Sequence, residues 1–182
     1  MNRSLESVLR FVNLATSGLL AGSLGFGEAA LVPGWQEELP RDGKGKPFEA
    51  LKSTNYFNAI GPVALATAVT IAVGTRGNNA TQRTLDAAAA IGLAGVLATT
   101  VMVTVPINKR LEAQPAADYA SDHSGAMARN WSRAHSVRTT LGVSAFLLAV
   151  ASNLSNWSGG GRSDPSPALP AARRRAARLG RG

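Results

Sequence analysis

Hydrophobic and polar positions are segregated along the chain into four long apolar stretches separated by polar segments. Residues 56–75 carry no charged side chain, and residues 85–107 carry only Asp86. A helix that is apolar on all sides belongs in a membrane or a large protein core, and 182 residues offer no large core. Each stretch has the roughly 17 to 25 residues that cross a hydrocarbon layer of about 30 Å. The pattern predicts an all-α, up-down-up-down bundle of four transmembrane helices, at about 8–32, 56–75, 85–107 and 136–154.

Two alternatives compete with this interpretation. Helices rich in alanine and glycine also form soluble bundles, and the mean hydropathy of +0.03 would suit such a protein. The first stretch also follows Arg3 and Arg10, as the apolar part of a signal peptide follows its basic start. Its apolar run of about 20 residues is longer than the 7 to 15 of a signal peptide, so we take it as a helix.

The net charge of +8 arises mostly from the C-terminal tail. Lysine and arginine near helix ends favour the cytoplasmic side of a membrane, so the basic tail predicts that both termini are cytoplasmic and that the loops 35–55 and 108–137 face outward. We divide the chain into a membrane domain, 1–155, and a disordered basic tail, 156–182, that rests on anionic lipid. A basic tail can also bind nucleic acid, but no other feature of the sequence indicates nucleic-acid binding.

Composition narrows the chemistry further. The chain has no cysteine, which removes disulfides, thiolate metal sites and thiol nucleophiles. Phosphate-binding glycine loops, nucleophile elbows and dinucleotide-binding fingerprints are absent from the sequence. Ligands for a metal are few and poorly spaced, and we predict neither metal nor organic cofactor; the weak candidates are His123, His135, Asp118 and Asp122. The alanine and arginine bias suggests a bacterial protein, and therefore an inner-membrane location.

The candidate functional residues are polar groups that the topology brings to one end of the bundle. They are Glu28, Tyr56, Asn58, Asn108, Trp131, His135 and Arg138. Trp131, His135 and Arg138 have the spacing of one helix face. Each of three candidates has a simpler explanation: Glu28 can be solvated at the interface, Asn108 can cap a helix that Pro106 ends or kinks, and Trp131 can be an interfacial anchor.

These candidate residues would form a polar cluster at one end of a bundle whose interior is apolar. Such a site suits an amphipathic ligand built on a ring system. An imidazole titrates near neutrality, so His135 is the candidate base. Arg138 and Asn108 can stabilise an oxygen that gains negative charge, and Glu28 can orient His135 or act as the base itself. Trp131, Tyr56 and Asn58 are the candidate substrate-binding residues.

Three segments resemble the anthrone oxygenase-like family of small four-helix membrane proteins. They are VPINKRL (105–111), NWSRAHSVRTTLGVSAFLL (130–148) and LATSGLLAGSLGFGEAALVPG (14–34). The family pattern of Pro-x-Asn followed by Trp-x-x-x-His-x-x-Arg matches Asn108, Trp131, His135 and Arg138. The resemblance implies that the chain can oxidise an anthrone to an anthraquinone with molecular oxygen and no organic cofactor, as some members do, although many bacterial members have no assigned activity.

The sequence thus leaves two functions open. The first is a cofactor-independent oxygenase whose partners are the lipid bilayer, a hydrophobic aromatic molecule of polyketide type, and oxygen. The second is a non-catalytic membrane protein that acts as an assembly partner. Transport has less support, because no charge lies at mid-bilayer in the predicted helices. The small-residue face formed by Gly18, Gly22 and Gly25 also leaves a homo-oligomer open.

Overall fold

A computed structural model describes residues 2–33, 54–75, 80–113 and 122–160. Within these ranges the chain contains helices and no strand, which confirms the predicted all-α class. The helices are α1 (Arg3–Phe26), α2 (Thr54–Gly74), α3 (Ala80–Thr99), α4 (Val105–Glu112) and α5 (Asp122–Gly160). Segments of π-helix extend α1 over Gly27–Leu31 and join α3 to α4 over Thr100–Thr104.

Within the described residues, four helical spans are long and apolar enough to cross a membrane: Arg3–Ala30, Tyr56–Gly74, Ala80–Arg110 and Gly125–Ser155. The distribution of side chains agrees with this. Large apolar residues face outward, as at Phe11 (73% exposed) and Met102 (76% exposed), whereas several charged and polar side chains are buried inside. This arrangement suits lipid as the surrounding solvent. The chain is an integral membrane protein.

Hydrogen bonds between the spans show the relative directions of neighbouring helices. Asn13 of α1 donates to the Ala64 carbonyl of α2, and Ser23, ten residues later in α1, bonds Tyr56 near the start of α2, so these helices run antiparallel. Helix α5 lies antiparallel to the third span, since Ser152 meets Asp86 and Arg138 meets Thr100. The apolar core between them comprises Leu20, Leu24, Ala64, Ala68, Ala90, Leu93, Val96 and Ala145.

A buried ion pair ties the bundle together at the end remote from the candidate residues. Arg10 of α1 makes a two-pronged contact with Asp86 of α3, with Nη2 to Oδ2 at 3.0 Å and Nη1 to Oδ1 at 3.1 Å. Ser152 of α5 donates to Asp86 Oδ1 at 2.5 Å, and Glu6 accepts from Arg10 Nε at 2.9 Å. Paired charges with further hydrogen bonds are the form in which buried charges are tolerated.

The helices extend further than the sequence pattern indicated. Helix α1 begins at Arg3 rather than near 8, and α5 covers Asp122–Gly160 rather than 136–154. The predicted tail therefore begins with helical residues, and its remainder, 161–182, lies outside the described residues. Of the predicted outward loops, 35–53 and 114–121 also lie outside them, but most of 108–137 is helical, so the prediction of a loop there was wrong. The cytoplasmic placement of both termini stays a prediction.

Both π segments end two residues before a proline. In a regular α-helix a proline ring crowds the carbonyl oxygen four residues earlier. That residue is Ala29 for Pro33 and Met102 for Pro106, and each lies inside a π segment, whose wider turn moves the carbonyl. The third span consequently continues past Pro106 to Glu112, beyond its predicted end at about 107. Pro62 lies in α2 without a π segment, so proline alone does not dictate one.

Candidate functional site

One face of α5 supplies three buried side chains near the end of the bundle. Trp131 and His135 are each 4% exposed, and Arg138 is 7% exposed. Their spacing of four and three residues places them on consecutive turns. The indole and imidazole rings stack with centroids 4.9 Å apart and planes 6° apart, and Arg138 Cζ lies 5.8 Å from the indole centroid. Trp131 is therefore packed inside the bundle and is not an interfacial anchor.

Hydrogen bonds assign the protonation of the His135 ring. Arg138 Nη2 lies 2.8 Å from His135 Nδ1, and because a guanidinium only donates, Nδ1 must accept. The proton of the neutral ring is then on Nε2, which lies 3.2 Å from the Leu24 carbonyl oxygen and donates to it. Both ring nitrogens are occupied, so the geometry favours a positioning role for His135 over that of a base.

Gly27, at the start of the first π segment, makes room for this histidine. A Cβ atom at Gly27 would lie 2.7 Å from His135 Nε2 and 3.0 Å from Cε1. Any larger residue there must displace the imidazole, which Trp131 and Arg138 hold on its other sides. The close approach of α1 to α5 thus depends on glycine at this position.

Contacts from the third span complete the support of these side chains. The indole Nε1 of Trp131 donates to Asn108 Oδ1 at 2.9 Å, so Asn108 is a residue inside α4 and not the end cap that the sequence allowed. Arg138 Nη1 lies 3.4 Å from Thr100 Oγ1 in the second π segment.

Glu28 lies beside the imidazole on the π segment of the first span. Its Oε1 accepts from Ser136 Oγ at 2.6 Å, and its Oε2 lies 4.0 Å from His135 Nε2. The side chain is 37% exposed, so it is neither fully solvated nor enclosed. Oε2 itself is buried and accepts no hydrogen bond from the described residues.

Arg138 carries a buried positive charge that is incompletely matched. No carboxylate among the side chains that the structure describes lies within ion-pair distance of it. Its Nε is buried and has no hydrogen-bond acceptor in this part of the chain. An uncompensated charge in an apolar environment is costly, so the site is suited to take up a negative or strongly polar oxygen.

Arg138 lines a cavity of about 200 Å³ between the first three spans. The walls are mainly apolar, with Asn58 and Thr100 as further polar side chains. Its other lining residues are Leu20, Leu24, Phe57, Gly61, Pro62, Leu93, Val96, Leu97, Val101 and Val105. An apolar cavity with a few convergent polar groups is the usual form of a small-molecule site.

Residues 52–148, more than half of the chain, match the family model described as anthrone oxygenase. The chain belongs to the anthrone oxygenase family. The match contains Asn58, Thr100, Asn108, Trp131, His135 and Arg138. Among curated proteins and solved structures, no match to the chain was found.

The structure brings together most of the residues that the sequence proposed for an anthrone oxygenase-like site. Asn108, Trp131, His135, Arg138 and Glu28 form one connected group. Asn58 lines the cavity itself. Tyr56 is directed elsewhere, because its hydroxyl bonds Ser23 at 2.9 Å and the Leu19 carbonyl at 3.2 Å on α1.

Sequence reasoning missed three groups at this site: Gly27, Thr100 and the Leu24 carbonyl. The only signal for Gly27 was its place before Glu28 in a glycine-rich helix, and Thr100 was one of several threonines in an apolar span. In the described ranges, no three histidine, aspartate or glutamate side chains are grouped to hold a metal ion. Asp118 and the side chains of Asp122 and His123 lie outside the described residues.

Proposed function

We propose that this protein oxidises a flat polycyclic aromatic ketone of the anthrone type with molecular oxygen, in the cavity beside Arg138. The single observation that carries the proposal is the buried guanidinium of Arg138, which has no carboxylate partner among the side chains that the structure describes and lies at the wall of an apolar cavity. Membership of the anthrone oxygenase family supports the substrate class.

The proposed chemistry begins with ionisation of the substrate. An anthrone has a ring CH₂ group conjugated to its ketone, and loss of one proton from this carbon places negative charge on the ketone oxygen. Arg138 is placed to donate hydrogen bonds to that oxygen, and in a water-poor cavity such donors stabilise charge strongly. The resulting enolate is rich in electrons.

Oxygen then accepts electrons from the enolate without an added reductant. For each anthrone, one oxygen molecule is consumed: one atom becomes the second ketone of the anthraquinone, and the other leaves as water with the two hydrogens of the CH₂ group. Because oxygen oxidises such anions directly, we propose no organic cofactor for this step.

The remaining residues have proposed supporting roles. His135 holds Arg138 through its Nδ1, and Trp131 and Asn108 hold the imidazole plane. Glu28 is the carboxylate beside the His135 ring but does not line the cavity, so we propose it as the acceptor of the substrate proton through an intervening water. Asn58 and Thr100 offer further polar contacts in the cavity.

Oxygen uptake by the protein in lipid vesicles supplied with emodin anthrone tests the proposal. We expect uptake of one oxygen per anthrone above the spontaneous rate, and a fall of about 100-fold in the Arg138→Gln variant, the usual loss when an oxyanion donor is removed. Arg133→Gln is the matched control, because Arg133 lies exposed on the same helix. Uptake at the spontaneous rate in the native protein would contradict the proposal and favour the non-catalytic assembly function.

A further inference from the structure

Part of the wall of the cavity beside Arg138 lies at the surface of the bundle. Gly61 and Pro62 of α2 and Leu97 and Val101 of the third span line this cavity. Pro62 is exposed, Val101 is 57% exposed, and a Cβ atom at Gly61 would meet nothing within 4 Å. These exposed wall positions indicate an opening with one edge on α2 and the other on the third span. Further along, the same two spans are in contact through Ala64, Ala68, Ala90 and Leu93.

This opening lies within the membrane-spanning length of both helices. The spans cover Tyr56–Gly74 and Ala80–Arg110. At about 1.5 Å per residue, Gly61 is about 7 Å inside the end of its span and Val101 about 13 Å inside the end of the other. Its edge residues are apolar or lack a side chain, so the opening faces hydrocarbon.

The chemical class of the ligand suits this position of the opening. A flat and apolar three-ring molecule dissolves in the bilayer core, on the other side of the two helix edges. The bilayer is therefore the medium from which such a ligand arrives.

We propose that the ligand of this site reaches Arg138 sideways from the bilayer, through the opening between Gly61 and Pro62 of α2 and Leu97 and Val101 of the third span. The inference rests on the proposed function for the chemical class of the ligand, a planar aromatic ring system with an ionisable oxygen. The opening then determines the rate of access, while Arg138 and the apolar walls determine the affinity.

Binding kinetics of a product-like probe test this access route without requiring turnover. The probe is alizarin, a hydroxyanthraquinone whose visible absorption changes on ionisation, mixed rapidly with the full-length protein in lipid nanodiscs. The variants are Gly61→Phe and Val101→Trp, one on each edge. Gly22→Phe is the control, because a Cβ at Gly22 also meets nothing within 4 Å but lies on α1, away from the opening.

A larger side chain in an entrance raises the barrier in both directions. We expect both edge variants to lower the association rate, about tenfold for about 1.4 kcal/mol of added barrier, whatever happens to the dissociation constant, because these residues also line the cavity. Gly22→Phe should leave both rates at the native values.

Three outcomes would overturn the proposed route. Unchanged rates in both edge variants would place access elsewhere. A weaker affinity that arises from faster dissociation alone would make these positions ligand contacts rather than an entrance. No binding of alizarin by the native protein would contradict both this route and the proposed function. Binding with the expected kinetics but without oxygen uptake on an anthrone would contradict the proposed function alone.

Discussion

A hydrogen bond between Arg138 and His135 changes the role that we assign to the histidine, from a general base to a positioning residue. A lone histidine at the mouth of an apolar helix suggests a general base. Here the Nδ1 lone pair faces Arg138 at 2.8 Å and Nε2 faces a backbone carbonyl at 3.2 Å. A positioning residue and a base respond differently to the same substitutions.

Replacement of His135 by asparagine separates these two roles. The amide oxygen of asparagine lies near the place of Nδ1 and can accept from Arg138, but an amide cannot take up a proton near neutral pH. We expect His135→Ala to lose about 100-fold in oxygen uptake and His135→Asn to recover a substantial part of it. Equal loss of oxygen uptake in both variants would show that His135 acts as the base.

Gly27 provides a second test at the scale of one residue. The methyl group of Gly27→Ala must push the imidazole away from α1, and displacement of a positioning group by about 1 Å can cost about 100-fold in rate. We expect a loss of oxygen uptake of about 10- to 100-fold in a folded protein. Gly25→Ala, where the added methyl meets nothing within 4 Å, should behave as the native chain. Full activity in Gly27→Ala would refute the positioning argument.

The π segments act at the scale of secondary structure elements. Each contains hydrogen bonds to the fifth residue along, as from the Val105 N–H to the Thr100 carbonyl, so it holds one residue more than a regular turn. Removal of one residue there should restore a regular α-helix. The residues before and after the deletion should then keep the faces that they present to the neighbouring helices. Removal of a residue from a regular helix instead rotates everything beyond it by about 100°.

Two single-residue deletions test this property of the second π segment. We expect deletion of Val103 in a Pro106→Ala background to lower the thermal unfolding temperature in detergent only slightly. Deletion of Ala94 in the same background should lower it strongly, because Val96 then turns out of the core. Val103 and Ala94 are both exposed, so their own side chains do not account for a difference. Equal destabilisation by the two deletions would contradict the assignment of the extra residue to 100–104.

At the scale of the whole molecule, a buried ion pair between two spans and a serine from a third span connect the helices. Arg10 and Asp86 are each 5% exposed, and Ser152 bonds both of them. We expect Asp86→Ala to lower the free energy of unfolding by about 3 to 5 kcal/mol, because it removes the buried partner of the Arg10 guanidinium and leaves only the more exposed Glu6. Chemical unfolding in mixed detergent micelles, followed by circular dichroism, measures the change.

A matched comparison isolates the unpaired charge as the cause. Glu6→Ala removes the more exposed partner of Arg10 and should cost less than Asp86→Ala. The double variant Arg10→Met with Asp86→Leu should regain most of the loss, because it leaves no buried charge. If the double variant were as unstable as Asp86→Ala, lost packing rather than lost pairing would be the cause.

The spans themselves could be predicted from the sequence because their signal is local. Residues 56–75 are uncharged and long enough to cross a bilayer whatever their neighbours are. The early start of α5 was hidden, since Arg129 and Arg133 make that region resemble a loop, although both face outward while Met127, Trp131 and Ala134 are buried.

Contacts between spans were harder to predict than the spans. Arg10 and Asp86 are 76 residues apart, and each alone resembles an ordinary charge near a helix end. The grouping of Asn108, Trp131, His135 and Arg138 could be predicted because helix direction alone brings them to one end. The hydrogen-bond directions, the cavity and its lateral opening depend on side-chain packing that no local pattern encodes.

The charge state of a bound ligand tests the central claim, stabilisation of an oxyanion by Arg138, most directly. The visible spectrum of alizarin bound in nanodiscs is recorded about one pH unit below its ionisation point in protein-free lipid, with the native protein, Arg138→Lys and Arg138→Gln. The account predicts the anion spectrum with the native protein and Arg138→Lys, and the neutral spectrum with Arg138→Gln, since one pH unit requires only about 1.4 kcal/mol of preferential stabilisation. A neutral spectrum for alizarin bound to the native protein would contradict it.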